Sequence, residues 1–376
     1  MPSYLIAAFY FFYFAIIAVY VIFMPKVLSM VGYTPSEIGI IFAAAPLVRF
    51  AVPFAFIKGL QLNRTVFNQA LVLMSLSALA FFAALNSFWG LLIANIGIGI
   101  GLSLILPYIE VIALMVIGKE RYGKVRLFGS IGFIAVALVL VKALSTPNVA
   151  IGFLLAMTVL TSVFGYAIAS LEGKRTKQEE EAPDISFNPL LHWSLWLGLI
   201  LMQVSFGAFY NFFTIYETDR GLSMDTTIYL WSFGVIAEIL LFYFQGPLLK
   251  HNLQKLLQFA VAGTILRWML LYLYPDDLML LYFSQSLHAL SFALFHTAAI
   301  SYLFTLYKER KLAQQFFFGL SYGLGGFIGA VSSGYIYEIW PNELFLSAAA
   351  VAFLAFLALL HAGRSEAARN QKLITN

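Results

Sequence analysis

Cysteine is absent from the 376-residue sequence, which excludes disulfides and thiolate metal sites and leaves the redox compartment unread. Charge is scarce as well: Asp, Glu, Lys and Arg make up 11% of the chain, where a soluble domain carries roughly 25%. Length alone would suggest two or three soluble domains, but a chain this poor in charge belongs first to the membrane class. No basic stretch precedes the opening MPSYLIAAFYFF and no small-residue cleavage site interrupts it, so it is expected to be a first span and not a removable signal. Enzyme signatures are missing too: there is no HExxH or P-loop pattern, no Ser-His-Asp-like spacing and no His/Asp/Glu ligand set near one interface. No metal, cofactor or nucleic-acid partner is therefore expected, and a membrane-embedded lipid or acyl transferase ranks far down. A receptor on a transporter frame ranks lower still, because such proteins usually carry a long soluble domain and the tail 364–376 is short.

What is present is apolar: 61% of the residues are hydrophobic and 17% aromatic. The aromatic share does not signal a β-barrel, whose strands are about ten residues long with polar alternation; that alternation is missing. Stretches near the roughly 20 residues needed to cross a bilayer recur instead, at 4–25, 36–57, 66–85, 88–117, 125–145, 149–171, 191–216, 226–249, 254–274, 278–306, 313–337 and 343–362. The expected fold class is thus an all-α membrane protein of about twelve transmembrane helices. With both termini on one side, seventeen Lys and Arg residues fall on that side and only Lys26, Lys142 and Arg220 on the other. Such a bias marks the basic side as cytoplasmic. The one long polar connection, 172–190 (EGKRTKQEEEAPDISFNPL), reads as a cytoplasmic linker. It separates an N-terminal six-helix bundle, 1–171, from a C-terminal one, 191–363, followed by a cytoplasmic tail, 364–376. The halves echo each other, since KERYGKVRLFGSIGF (119–133) follows the fourth span and KERKLAQQFFFGLSYGLGGF (308–327) the tenth. Two parallel halves with a site at the midplane between them are a common layout of secondary transporters.

Ionisable residues inside spans are costly and are functional candidates by default. They are few: Arg49 in span 2, Glu110 in span 4, Arg126 early in span 5, Glu238 in span 8, Arg267 in span 9, and His288 and His296 in span 10. The bland account of each is a structural pair or a side chain snorkelling to an interface, and it weighs most for Arg126, beside a basic loop. In 286-SLHALSFALFH-296 the two rings would sit roughly 12 Å apart, in loosely one sector of a helix. A single membrane histidine is as readily an interhelical hydrogen-bonding group as a proton carrier; two, beside an Arg and a Glu on neighbouring helices, favour function. Three arginines and two histidines against two carboxylates would make a cavity that attracts an anion.

The chain resembles the major facilitator superfamily along its length. It is similar to the oligosaccharide:proton symporters (the lactose permease group) and most similar to the phenylpropionate permease-like group. YGKVRLFGS (122–130) matches the fifth-helix entry of both groups. The resemblance implies that Arg126 and Glu110 are the arginine and fourth-helix carboxylate that bind sugar in lactose permease. WSFGVIAEILLF, ILRWML and SLHAL place Glu238, Arg267 and His288 on the group's glutamate, arginine and histidine. Departures accompany the matches. Ser291 stands where lactose permease carries a proton on a glutamate, and Phe133 where its sugar stacks on a tryptophan. The loop 57-IKGLQLNR-64 lacks the usual acidic glycine motif. Phe133 and Ser291, with His296 and Arg49, are what phenylpropionate-type sequences look like.

The expected function is proton-coupled import of a small aromatic or apolar carboxylate; the alternative is a proton symporter of sugars or nucleosides. A sugar would want many hydrogen-bonding partners, and the midplane supplies few beyond Gln203, Asn211 and Ser291. Substrate contact is expected from Arg49, Glu110, Arg126, Phe133, Tyr210, Asn211 and His296, and proton coupling from Glu238, Arg267 and His288. Glu110 and Arg126 are expected to face each other across spans 4 and 5, and Arg126 is the better candidate of the pair to grip the carboxylate, since a guanidinium does so through two parallel hydrogen bonds. Arg267 beside Glu238 would decide when the proton leaves, with His288 orienting the acid and His296 on the exit path. The protein is expected to act as a monomer in the bacterial inner membrane, its partners being substrate, protons and lipids.

Overall fold

Residues 2–171 and 188–375 are described by the computed structural model, so 172–187 of the expected linker lie outside the described residues. The described residues are helical without a strand. Twelve helices are long and apolar enough to cross a membrane. They are α1 (Ser3–Val31), α2 (Pro35–Ile57), α3 (Arg64–Ala84), α4 (Phe88–Ile117), α5 (Arg121–Ala143), α6 (Pro147–Ser170), α7 (Pro189–Asp219), α8 (Met224–Phe244), α9 (Leu253–Leu273), α10 (Leu278–Leu306), α11 (Leu312–Ile339) and α12 (Pro341–Ser365).

Local chemistry sets most of the helix starts. At α2, Thr34 Oγ1 accepts from the Glu37 amide at 3.3 Å and the Glu37 carboxylate accepts from the Thr34 amide at 2.9 Å, a capping box. Asn63, Ser87, Ser223, Asn252 and Asp277 cap α3, α4, α8, α9 and α10 through their side-chain oxygens, each worth about 1 kcal/mol. The ends α1 and α7 share a device. Gly32 (φ 104°) and Gly221 (φ 94°) turn the chain in the left-handed region, and the cap of the next helix, Thr34 or Ser223, follows two residues later.

The boundaries differ most from the sequence reading at three places. α1 runs six residues past the expected end, because a π-helical turn at Val19–Phe23 carries the helix through Pro25, where a proline in the first turn of a new helical segment loses no hydrogen bond. α8 stops at Phe244 and Leu248–Lys250 form a short 3-10 turn. The last helix continues as backbone to Thr375, so the expected tail is helical over 364–375.

Two six-helix bundles pack with matching neighbours. α1 lies on α5 and α6, and α7 on α11 and α12; α4 lies on α2 and α3, and α10 on α8 and α9; α3 meets α6 as α9 meets α12. The bundles touch mainly through α2 with α11 and α5 with α8. Small residues permit the first of these contacts. A Cβ added to Gly39 would fall 2.5 Å from the Ala330 carbonyl oxygen and 3.0 Å from the Gly334 Cα, and one on Gly329 would lie 2.6 Å from the Val204 oxygen. α11 therefore approaches α2 and α7 at backbone distance through its glycine-rich stretch, as its composition suggests.

Candidate functional site

A cavity of about 2730 Å³ lies between the bundles, and every proposed site residue except Arg267 lines it. Its mouth is edged by Gly59, Asn63, Arg64, Lys124, Lys308 and Arg310, so it opens on the face of the basic loops. The other end is shut by contacts between halves. Lys26 Nζ lies 3.0 Å from Asp219 Oδ1, Lys142 pairs with Asp225, and the Ser36 amide donates to Glu338 at 2.8 Å. Tyr337 Oη adds a 2.9 Å bond to Asp219.

On the N-terminal wall, Glu110 of α4 and Arg126 of α5 face each other, Nε to Oε1 at 3.9 Å. Tyr122 Oη donates to the same carboxylate at 3.2 Å. The Arg126 guanidinium rests on the Phe14 ring at 3.9 Å and near Tyr10 at 5.3 Å, cation–π contacts that hold it flat. Phe133 lines the wall further along α5. Arg49 of α2 differs. It is half-buried in the cavity and has no acid within ion-pair distance among the described residues. Around it, within electrostatic reach, stand Tyr13, Tyr20, Tyr210 and Tyr322.

On the C-terminal wall the structure orders the proton-coupling candidates in a way the sequence does not show. Arg267 is fully buried behind the cavity, its guanidinium over Phe209 at 4.2 Å and Trp268 at 4.6 Å. It donates to Gln285 Oε1 at 2.8 Å, to Ser291 Oγ at 3.1 Å and to His288 Nδ1 at 2.9 Å. His288 Nε2 in turn lies 3.4 Å from Glu238 Oε2. The imidazole therefore stands between Arg267 and Glu238, where direct contact of the two was expected. Arginine offers only N–H donors, so Nδ1 must be the acceptor and Nε2 must carry the hydrogen that faces Glu238. Ser291, expected among the midplane groups a substrate would use, is turned to Arg267 and lies outside the cavity wall.

His296 completes this wall. Its Nδ1 is 2.8 Å from Tyr322 Oη. Phe292 stacks between the two histidines, its ring 5.4 Å from His288 and 6.0 Å from His296 with interplanar angles of 5° and 19°. The cause is a π-helical turn at Ala289–Leu294. A π turn holds one extra residue, so eight residues make about two turns instead of about 2.2, and positions 288, 292 and 296 share one face. Tyr210 and Asn211 of α7 also face the cavity, the Asn211 amide donating to the Gly207 carbonyl at 2.9 Å.

Tyr122, Gln285, Tyr322 and Glu217 are the polar residues that sequence reading passed over. Gln285 lies three residues before His288, on the same helix face, and that spacing was a usable signal. Nothing in the sequence marks Tyr122 or Tyr322. Glu217 falls one residue beyond the expected end of span 7, where hydropathy does not mark it as intramembrane; it is fully buried.

Twelve membrane-crossing helices in two bundles around one cavity define an integral membrane transporter of the major facilitator type. The chain belongs to the MFS_1 like family, whose model matches residues 4–347, and its members are transporters and not enzymes. A protein of Escherichia coli (strain K12) described as a probable 3-phenylpropionic acid transporter is 26% identical over 369 residues, covering 92% of this chain and 94% of that one. Among solved structures, the nucleoside transporter NupG superposes with a TM-score of 0.80 at 14% identity, over 96% of this chain and 98% of that one. An auto-inhibited peptide transporter of the POT family superposes with a TM-score of 0.73 at 10% identity, over 96% of each. At those identities the two structures speak to the fold.

Proposed function

We propose that this transporter imports a small aromatic or apolar carboxylate, of the 3-phenylpropionate kind, together with a proton. The basic-loop face is then cytoplasmic, the membrane is a bacterial inner membrane, both termini lie inside, and the working unit is the monomer. The observation that carries the reading is Arg49, a cavity guanidinium with no acid partner among the described residues, set among aromatic rings. An anion of one carboxylate and an apolar body matches that surrounding in charge and in shape. The E. coli relative's description agrees with it.

Arg49 takes the role first expected of Arg126, because Arg126 is already held by Glu110 and Phe14. The substrate carboxylate accepts from Arg49, and its ring lies against Phe133 and Tyr210. Arg126 remains close enough to Glu238 and His296 for its field to reach both across the cavity. Glu238 carries the proton. His288 presents an N–H to it and cannot take a second proton on Nδ1 without giving up Arg267. Arg267 thus acts through the ring, fixing its tautomer.

Thermal stability of the purified protein tests the substrate class, since a ligand bound only by the folded state raises it by mass action. 3-Phenylpropionate should stabilise the protein, and its alcohol analogue, 3-phenylpropanol, should not. Stabilisation by a nucleoside or a glycoside with no response to the carboxylate would overturn the reading in favour of a sugar or nucleoside symporter.

A further inference from the structure

Glu217 lies outside the site just described, at the closed end, in the last turn of α7. It is fully buried, and neither carboxylate oxygen has a hydrogen-bond partner among the described residues. An ionised carboxyl in that position would have lost its water and gained no donor, which proteins avoid. Two residues later on the same helix, Asp219 is in the opposite situation, bonded to Lys26 of α1 and to Tyr337 of α11.

The field of one cation, Arg220, reaches Glu217, but no described group donates a hydrogen bond to either carboxylate oxygen. Arg220, just past the end of α7, spends its donors elsewhere: its guanidinium lies over the Tyr216 ring at 3.5 Å and donates to Asn342 Oδ1, at the start of α12, at 2.7 Å. Asp276, in the connection from α9 to α10, repels an anion at Glu217. Lys26 is committed to Asp219, and Asp225 at the start of α8 to Lys142. The remaining charged groups at this end are acids: Glu37 at the start of α2, Asp277 before α10, Glu338 of α11 and Glu343 at the start of α12. Tyr216 Oη is bonded to the Leu271 carbonyl.

We propose that Glu217 is a second proton-binding site, filled when the closed end shuts and emptied when it opens. This rests on the reading of the chain as a transporter, whose shut end must open to pass substrate, but not on which substrate it carries. Shutting that end joins Lys26 to Asp219 and Lys142 to Asp225 across the halves, and it seals Glu217 in with no donor. A proton must be bound to Glu217 by then. Opening separates the same pairs and admits water, in which the carboxylate is at ease, and the proton leaves to the side from which it came. No net proton crosses the membrane by this route, which separates Glu217 from Glu238. The effect is a bias: acid at this face holds the end shut, and alkali lets it open. Sign distinguishes the two neighbouring acids. Protonating Asp219 would remove its charge from Lys26 and open the end at low pH, the reverse of what Glu217 does.

The natural absence of cysteine makes the test direct. Met30→Cys and Leu278→Cys, both at exposed positions at the closed end and one in each half, carry spin labels, and their distance distribution is read in nanodiscs from pH 5 to pH 9 without substrate. The shut-to-open ratio should fall as pH rises, by up to about tenfold per pH unit for one proton. Glu217→Gln, neutral at every pH, should stay shut throughout, and Glu238→Gln should keep the native pH response. If Glu217→Gln does not fold, Glu217→Met is read in its place. A Glu217 variant that follows the native pH response overturns the proposal, as does a native protein that does not respond or one whose closed end opens as pH falls. None of these outcomes depends on which substrate is carried.

Discussion

His288 holds Glu238 at 3.4 Å through Nε2, while its other nitrogen accepts a hydrogen bond from the fully buried Arg267. The ring is a fixed spacer between a guanidinium and an acid that faces the cavity. A glutamine reproduces both halves of that spacer, with an amide N–H toward Glu238 and an oxygen toward Arg267. His288→Gln should therefore keep proton-driven accumulation, at a reduced rate, whereas His288→Leu should lose it. Uptake into proteoliposomes measures both. Accumulation that fails in His288→Gln while surviving in Glu238→Gln would make the imidazole the proton carrier.

Arg267 donates to three buried acceptors, so its removal leaves His288 Nδ1, Gln285 Oε1 and Ser291 Oγ without their donor. Arg267→Met should lower stability by on the order of 3 kcal/mol or more, since each of the three orphaned acceptors costs about 1–3 kcal/mol. Thermal unfolding in detergent checks this. An unchanged transition would mean that the cluster relaxes to new partners.

Arg49→Lys keeps the charge but not the fork of donors. Substrate affinity should fall by about tenfold or more, roughly 1.4 kcal/mol, with little change in the stability of the empty protein, because Arg49 holds no acid among the described residues. Titration of 3-phenylpropionate by calorimetry reads the effect. Equal affinity in the Lys variant would return the carboxylate to Arg126.

Much of the fold was legible because membrane spans announce themselves by length and hydropathy, and because residues such as Thr34, Asn63, Ser87 and Ser223 are N-caps by type. The π turns at Val19–Phe23 and Ala289–Leu294 were not legible. Each inserts a residue without any marker, and the second alters which residues of α10 share a face. Nine of the ten residues expected at the site line the cavity and Arg267 lies behind it, but their order was not legible. Glu238, Arg267 and His288 sit on three helices, and sequence carries no information on how those helices are rotated against one another. That left the imidazole's position between the other two unseen. Glu217 was missed for a simpler reason: hydropathy blurs helix ends by a few residues, and the acid stands at such an end.

Gly329 meets α7 at the Val204 carbonyl and at Gly207 Cα. Gly329→Ala should strain this contact and destabilise the protein by about 1–3 kcal/mol, whereas Gly246→Ala, with open space around it, should be close to neutral. Denaturation midpoints of the two variants provide the comparison.

Proton-coupled carriage of an aromatic carboxylate with the proton on Glu238 is tested most directly by uptake of labelled 3-phenylpropionate into proteoliposomes under an imposed proton gradient. Native protein should concentrate the substrate and lose it when a protonophore is added. Glu238→Gln should fail to concentrate it yet still exchange external for internal substrate. Concentration by native protein that ignores the gradient, or full concentration by Glu238→Gln, would contradict the account.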